Sequence, residues 1–150
     1  MSDENVTVTV VGYYASRPEK VFDAWLNPEM IGQFMFGPLL REEEIIHIQV
    51  DPVIGGKFSF LVQRDGQKLD HVGEYLDIKR PLRLAFTWGV QMKPTENHSD
   101  SRVRIEIIGL GTGTQLTLNH DIPAEWADYA DRTKEGWTKI LNVLADIIDG

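Results

Sequence analysis

No cysteine occurs among the 150 residues, which removes disulfide frameworks, thiolate zinc sites and cysteine nucleophiles together. Long apolar runs are also missing, and without a stretch of roughly 18 such residues no membrane-spanning helix is expected. Positive charge is scarce: 15 Lys and Arg stand against 23 Asp and Glu, a formal net charge of −8. Such a field repels polyphosphate instead of releasing its counterions, which argues against a nucleic-acid partner. The acidic start Met1-Ser2-Asp3-Glu4-Asn5 lacks the basic-then-apolar layout of a signal peptide, so cytoplasm is the expected compartment. No linker, repeat or low-complexity tract divides residues 1–150, which are expected to form one domain.

What is present begins with strands and changes period once. Val6 to Tyr13 alternates and is rich in β-branched residues, a first strand. Ser16-Arg17-Pro18-Glu19 matches a capping box with Ser16 as N-cap, followed by Val21, Phe22 and Trp25 on one helical face. Asn27-Pro28 ends that helix, and Pro28 to Phe36 reads as a second short helix or an irregular apolar segment closed by Gly37-Pro38. From residue 45 a meander follows. Ile46, Ile48 and Val50 alternate before Gly55-Gly56; Phe58, Phe60 and Val62 alternate before Asp65-Gly66, a two-residue hairpin signal. Lys68 to Lys79 contains Gly73, a candidate bulge that leaves the inward face of this run open. Arg80-Pro81 turns the chain into Leu84, Phe86 and Trp88. The polar Lys93 to Asp100 loop, expected to exchange its amides fast, leads to Val103, Ile105 and Ile107. A glycine-rich turn precedes Leu116, Leu118 and His120. The tail from Pro123 to Ile148 carries Trp137, Ile140, Leu141, Leu144, Ile147 and Ile148 at spacings of three and four, with Lys139, Asn142 and Asp146 opposite, an amphipathic helix. With no βαβ alternation, the order argues for α+β with an antiparallel sheet.

Motifs of reactive chemistry are sparse. Gly109-Leu110-Gly111-Thr112-Gly113 lacks the lysine and following helix of a phosphate loop and reads as a hairpin turn. No GxSxG elbow supports a serine hydrolase. His47, His71 and His120 fall in no HxH, HxxxH or HExxH spacing, so neither metal nor cofactor is expected. His71 and His120 are expected as hydrogen-bonded core or rim residues. Glu42-Glu43-Glu44 reads as a solvated loop face. Gly136 in mid-helix costs about 1 kcal/mol relative to alanine, and a close approach to the sheet is the expected reason.

Several segments in order give the chain a family resemblance. They include Pro18-Glu19-Lys20-Val21-Phe22-Asp23-Ala24-Trp25, Asn27-Pro28-Glu29, Gly55-Gly56-Lys57-Phe58, Gly73-Glu74-Tyr75, Pro81-Leu82-Arg83-Leu84-Ala85-Phe86-Thr87-Trp88, Gly113-Thr114-Gln115-Leu116-Thr117-Leu118-Asn119-His120 and Gly136-Trp137. In these the chain resembles the START-like (SRPBCC, helix-grip) superfamily, and within it the family similar to the C-terminal domain of the heat-shock-protein-90 ATPase activator. The resemblance implies a curved antiparallel sheet of about six or seven strands around a long C-terminal helix, with one or two short helices after the first strand. It also implies a cavity between sheet and helix that in many relatives accepts an apolar small molecule. Where members often carry a tryptophan pair, this chain has Phe34-Met35-Phe36; where they often carry arginine before Gly55-Gly56, it has Val53.

The functional expectation is a non-catalytic module enclosing an apolar or aromatic small molecule. Phe58, Phe60, Phe86, Trp88, Trp126 and Trp137 are expected to face the interior, with Phe34, Phe36, Ile105, Leu118, His120 and Leu141 completing the ligand-binding set. No charge cluster is expected to point inward, so binding should depend little on salt. A chaperone or other protein partner, met by the surface, is the alternative. A cyclase-like enzyme is the third reading, and it needs a titratable group in the cavity: His120, His71, Tyr75 or Glu74.

Overall fold

The computed structural model describes residues 6–36, 40, 43–91 and 101–149. Seven strands form one antiparallel sheet: β1 (Val6–Tyr14), β2 (Glu44–Val50), β3 (Lys57–Arg64), β4 (Gln67–Lys79), β5 (Arg83–Gln91), β6 (Ser101–Leu110) and β7 (Gly113–Ile122). Their order is β1-β7-β6-β5-β4-β3-β2, so the meander is closed off by the first strand pairing with the last. Helices α1 (Pro18–Ala24) and α2 (Pro28–Phe34) follow β1, and a 3-10 helix (Ala124–Tyr129) leads into the long α3 (Ala130–Asp149). This is the α+β helix-grip architecture. Gly37-Pro38, Glu42 and the Lys93 to Asp100 loop lie outside the described residues. Among the described residues no helix is long and apolar enough to cross a membrane.

Period-two alternation sets the inner face of the sheet, as the apolar residues pack on the helix side and the polar ones meet solvent. β7 shows it along its whole length, with Thr114, Leu116, Leu118, His120 and Ile122 buried. On α3, Trp137, Ile140, Leu141, Val143, Leu144 and Ile148 are buried, while Lys139, Asn142 and Asp146 face solvent. The hairpin between β3 and β4 turns on Asp65 and Gly66, both at positive φ, the backbone that a two-residue turn requires.

Three local expectations are corrected. Ser16 is not the cap of α1: Arg17 holds that position without a side-chain cap bond, and the Ser16 hydroxyl donates instead to Asp149 Oδ1 at 2.6 Å. Asn27 is the true capping residue, its side chain accepting from the Glu29 and Met30 amides at the start of α2. The register of β4 shifts between Tyr75 and Asp77 and not at Gly73. Gly73 serves close packing: a Cβ there would collide with the Thr87 carbonyl oxygen and the Phe58 ring. Edge strand β2 has no fully buried residue, and Ile46 is exposed where its register with β3 shifts.

Candidate functional cleft

Three neighbouring strands, the end of α2 and the start of α3 enclose the site. Pairing aligns Phe60 with His71 and His71 with Val90 across β3, β4 and β5. The end of α2 brings Met35 and Phe36 over this row, and the Phe36 and His71 rings lie 4.9 Å apart. The start of α3 forms the other wall, where Arg132, Gly136 and Ile140 recur every fourth residue on the face that carries Trp137. Between them lies a cleft of about 250 Å³, with Trp88 and His120 on its sheet side and Arg64 and Thr133 also in its lining. That volume is below the usual range of roughly 300–1,000 Å³ for drug-sized ligands. Gly136 explains part of it, because nothing lies within 4 Å of where its Cβ would be. The expected close contact of Gly136 with the sheet is therefore corrected: this glycine leaves space.

The polar groups on the sheet side are arranged in one direction. Trp137 Nε1–H donates to His120 Nδ1 at 3.0 Å, which leaves Nε2 to carry the proton. Nε2–H then donates to Ser101 Oγ at 2.9 Å, and the Ser101 hydroxyl donates to the Trp88 carbonyl at 2.6 Å. Both imidazole nitrogens are thus engaged in the neutral form. Burial pushes His120 down to about 4, with Asp121 opposing, and protonation would break the Trp137 bond. His71 Nδ1–H donates to the Phe60 carbonyl at 3.1 Å. Burial raises the Tyr75 phenol well above its ordinary value, and Asp51 adds to the effect. Glu74 pairs with Lys57 across the sheet, one position off the inward set of His71, Gly73 and Tyr75.

Of the twelve residues expected from sequence to meet a ligand, Phe36, Trp88, His120 and Trp137 line the cleft. Phe58, Phe60 and Phe86 lie deeper: Phe58 stacks on Phe60, meets Phe86 edge to face and lies tilted against Trp88. They border a separate gap of about 10 Å³ together with Trp25, Met35 and Tyr75. Phe34, Ile105, Leu118 and Leu141 are solid core. Trp126 is corrected: it is 47% exposed, on the 3-10 helix, and packs on Tyr129 instead of facing inward. Met35, Arg64, Val90, Arg132, Thr133, Gly136 and Ile140 were missed, although the four-residue spacing that continues the buried stripe of α3 toward its N-terminus points to three of them.

The charge expectations also change. Two arginines line the cleft. Arg64 donates through Nε and Nη2 to Glu43, whose side chain is wholly buried, so this glutamate is not part of a solvated face. Arg132 is exposed at the mouth and forms no ion pair among the described residues. The polar triad on β2, β3 and β4 is in the wrong order for nucleophile activation: Ser59 donates to Asp70 at 2.6 Å while His47 Nε2 lies 2.8 Å from the same hydroxyl. Among the described residues no three His, Cys, Asp or Glu side chains converge as a metal site.

With the sheet, the gripped helix and the cleft in view, the comparisons with known proteins agree. The family model described as "Activator of Hsp90 ATPase homolog 1-like protein" matches residues 15–149. The chain belongs to this family. Activator of Hsp90 ATPase homolog 1-like folds recur among its structural neighbours. A protein from Nitrosomonas europaea superposes with a TM-score of 0.80 at 20% identity, over 96% of this chain and 94% of its own. One from Chromobacterium violaceum gives 0.75 at 23% identity, over 96% and 97%. A Plasmodium falciparum protein described as an HSP90 activator gives 0.71 at 25% identity, over 95% and 96%. The comparison with curated proteins gave no match.

Proposed function

We propose that this chain is a binding module that holds one small aromatic molecule in the cleft between β4, β5 and α3, without turnover. The observation that carries this reading is the open space at Gly136, bounded by Trp88, Trp137 and Phe36. A flat ring suits such walls because aromatic rings stack or meet edge to face at centroid distances of roughly 4.5–7 Å. His120 has both nitrogens occupied and a depressed pKa, which fits a structural role better than proton transfer. Arg132 at the mouth favours a ligand whose solvent-facing end is acidic, with an affinity that falls as salt rises. A cytoplasmic setting accords with the cysteine-free composition.

Titration calorimetry with 2-acetylnaphthalene and 2-naphthoate tests this. Binding tighter than about 1 mM, with a negative heat-capacity change, is the expected result. Absence of binding by both probes at that level would sink the reading. A protein-interaction role is the second reading, favoured by the family and by the neighbour described as an HSP90 activator. Stimulation of a purified Hsp90 ATPase by this chain, unchanged by Gly136→Trp filling of the cleft, would favour that role.

A further inference from the structure

We propose that the ligand chamber is longer than the cleft alone: it continues past Met35 to the indole N–H of Trp25, which receives a hydrogen-bond acceptor at the leading end of an aromatic ligand. This rests on the cleft being a ligand site. Trp25 is 3% exposed, and its Nε1–H is the one buried side-chain polar atom without a partner among the described residues. Buried donors in folded proteins are nearly always paired, so an orphan asks for an explanation. Trp25 borders the deep gap of about 10 Å³. That space is at the lower bound for a single water, and of its lining only Trp25 and Tyr75 carry N–H or O–H groups on their side chains, the minimum of the two to four contacts a buried water usually finds.

Met35 is the residue that lines both the gap and the large cleft. It is unbranched, with three rotatable bonds and a polarizable sulfur, the side chain best suited to move aside and repack. Trp137, in the wall of the cleft, lies 6.2 Å from the Trp25 ring, so the orphan donor is one ring away from the open space. A rotamer change at Met35 joins the two compartments. The ligand class that fits is a flat aromatic with a carbonyl-type oxygen at its buried end and no charge there, since Phe58, Phe60 and Phe86 supply the rest of the gap's lining.

The test compares 2-acetylnaphthalene with 2-isopropenylnaphthalene, which has the same shape with a CH₂ in place of the oxygen. Calorimetry should show the ketone binding roughly tenfold more tightly, an increment within the range for satisfying a buried donor. In ¹H–¹⁵N spectra of the wild-type protein, the Trp25 indole resonance, assigned through single Trp→Phe variants, should move downfield with the ketone only. Trp25→Phe should abolish the preference while the isopropenyl compound still binds. Met35→Ile, similar in volume but stiff at χ1, should abolish it too. Equal binding of both compounds with an unmoved Trp25 resonance would overturn this proposal and leave the cleft reading standing. Failure of both compounds to bind would overturn this proposal, and the cleft reading would fall with it only where 2-naphthoate also failed to bind. The spectra decide even where a variant does not fold.

Discussion

Along α3 the last turns bury Leu141, Leu144 and Ile148 against the sheet, whereas the first turns present Arg132, Thr133 and Gly136 to an open cleft. One amphipathic stripe thus meets a solid interior at one end and a hollow at the other. The filled end is also tied down. Asp149 accepts from the Ala15 and Ser16 amides and from the Ser16 hydroxyl, Lys20 donates to the Ile148 carbonyl, and Tyr14 donates to the Leu141 carbonyl. At the hollow end, the Trp137–His120 bond joins helix to sheet. The difference teaches that a helix-grip fold can leave room for a ligand by anchoring its helix at one end.

Truncations at the two ends should therefore differ. Leu144 is fully buried, and Leu144→Ala should cost about 2–5 kcal/mol through lost burial and a closed cavity. Ile140 borders the cleft, where truncation widens an existing space, so Ile140→Ala should cost about 1–2 kcal/mol. Urea denaturation of both variants checks this, and equal losses would break the contrast between filled and hollow ends.

The bond at the hollow end has a pH signature. The folded imidazole of His120 titrates near 4 against an ordinary value of 6.5, so the unfolded chain takes up its proton first as pH falls. Stability from this group is complete above about 6.5 and is lost as pH drops toward 4, by roughly 3 kcal/mol in all. Asp23, Asp121 and Asp149 have lowered carboxyls, and their contributions are lost only below the ordinary carboxylate range. His120→Gln should flatten the stability profile between pH 4 and 6.5 and leave the more acidic limb in place. An unchanged slope in that window would show that another group controls it.

At the filled end, burial opposes the charge of Asp149, and the bonds from Ser16 and Ala15 with nearby Lys20 outweigh it. Asp149→Asn weakens charge-assisted bonds that secure the chain before α1, and a loss of about 1 kcal/mol is expected in thermal or urea unfolding. A loss near zero would mean that packing of Leu144 and Ile148 alone anchors the helix.

Much of this architecture was legible in the sequence because it follows from periodicity. Alternation in β3, β5 and β7 and the three-and-four spacing in α3 depend only on which side of an element faces the interior. What stayed hidden depends on contacts between distant segments. Ser16 looks like a cap, yet its partner is Asp149, 133 residues later. Trp126 matches the composition of a core, but it falls on a 3-10 helix outside the stripe of α3. Glu43 looks solvated until Arg64 from the next strand covers it. Empty volume has no sequence signal of its own, and Phe58 and Leu118 read alike although one borders a gap and the other is solid core.

Gly136 is where the comparison of the two ends sharpens most at the smallest energetic cost. Glycine in a helix interior is less favourable than alanine by about 0.8–1 kcal/mol, and nothing lies within 4 Å of the added methyl. Gly136→Ala should therefore stabilise the protein by up to about 1 kcal/mol, whereas tight packing against the sheet would make it destabilising. The same methyl points into the cleft, so 2-acetylnaphthalene should bind several-fold more weakly to the stabilised variant. Stability and binding then move in opposite directions, which is the mark of a residue kept for space. Parallel calorimetry and urea titrations measure both signs. A destabilised variant would show that α3 packs against the sheet at Gly136 as closely as it does at Leu144, and the hollow end would have to be redrawn.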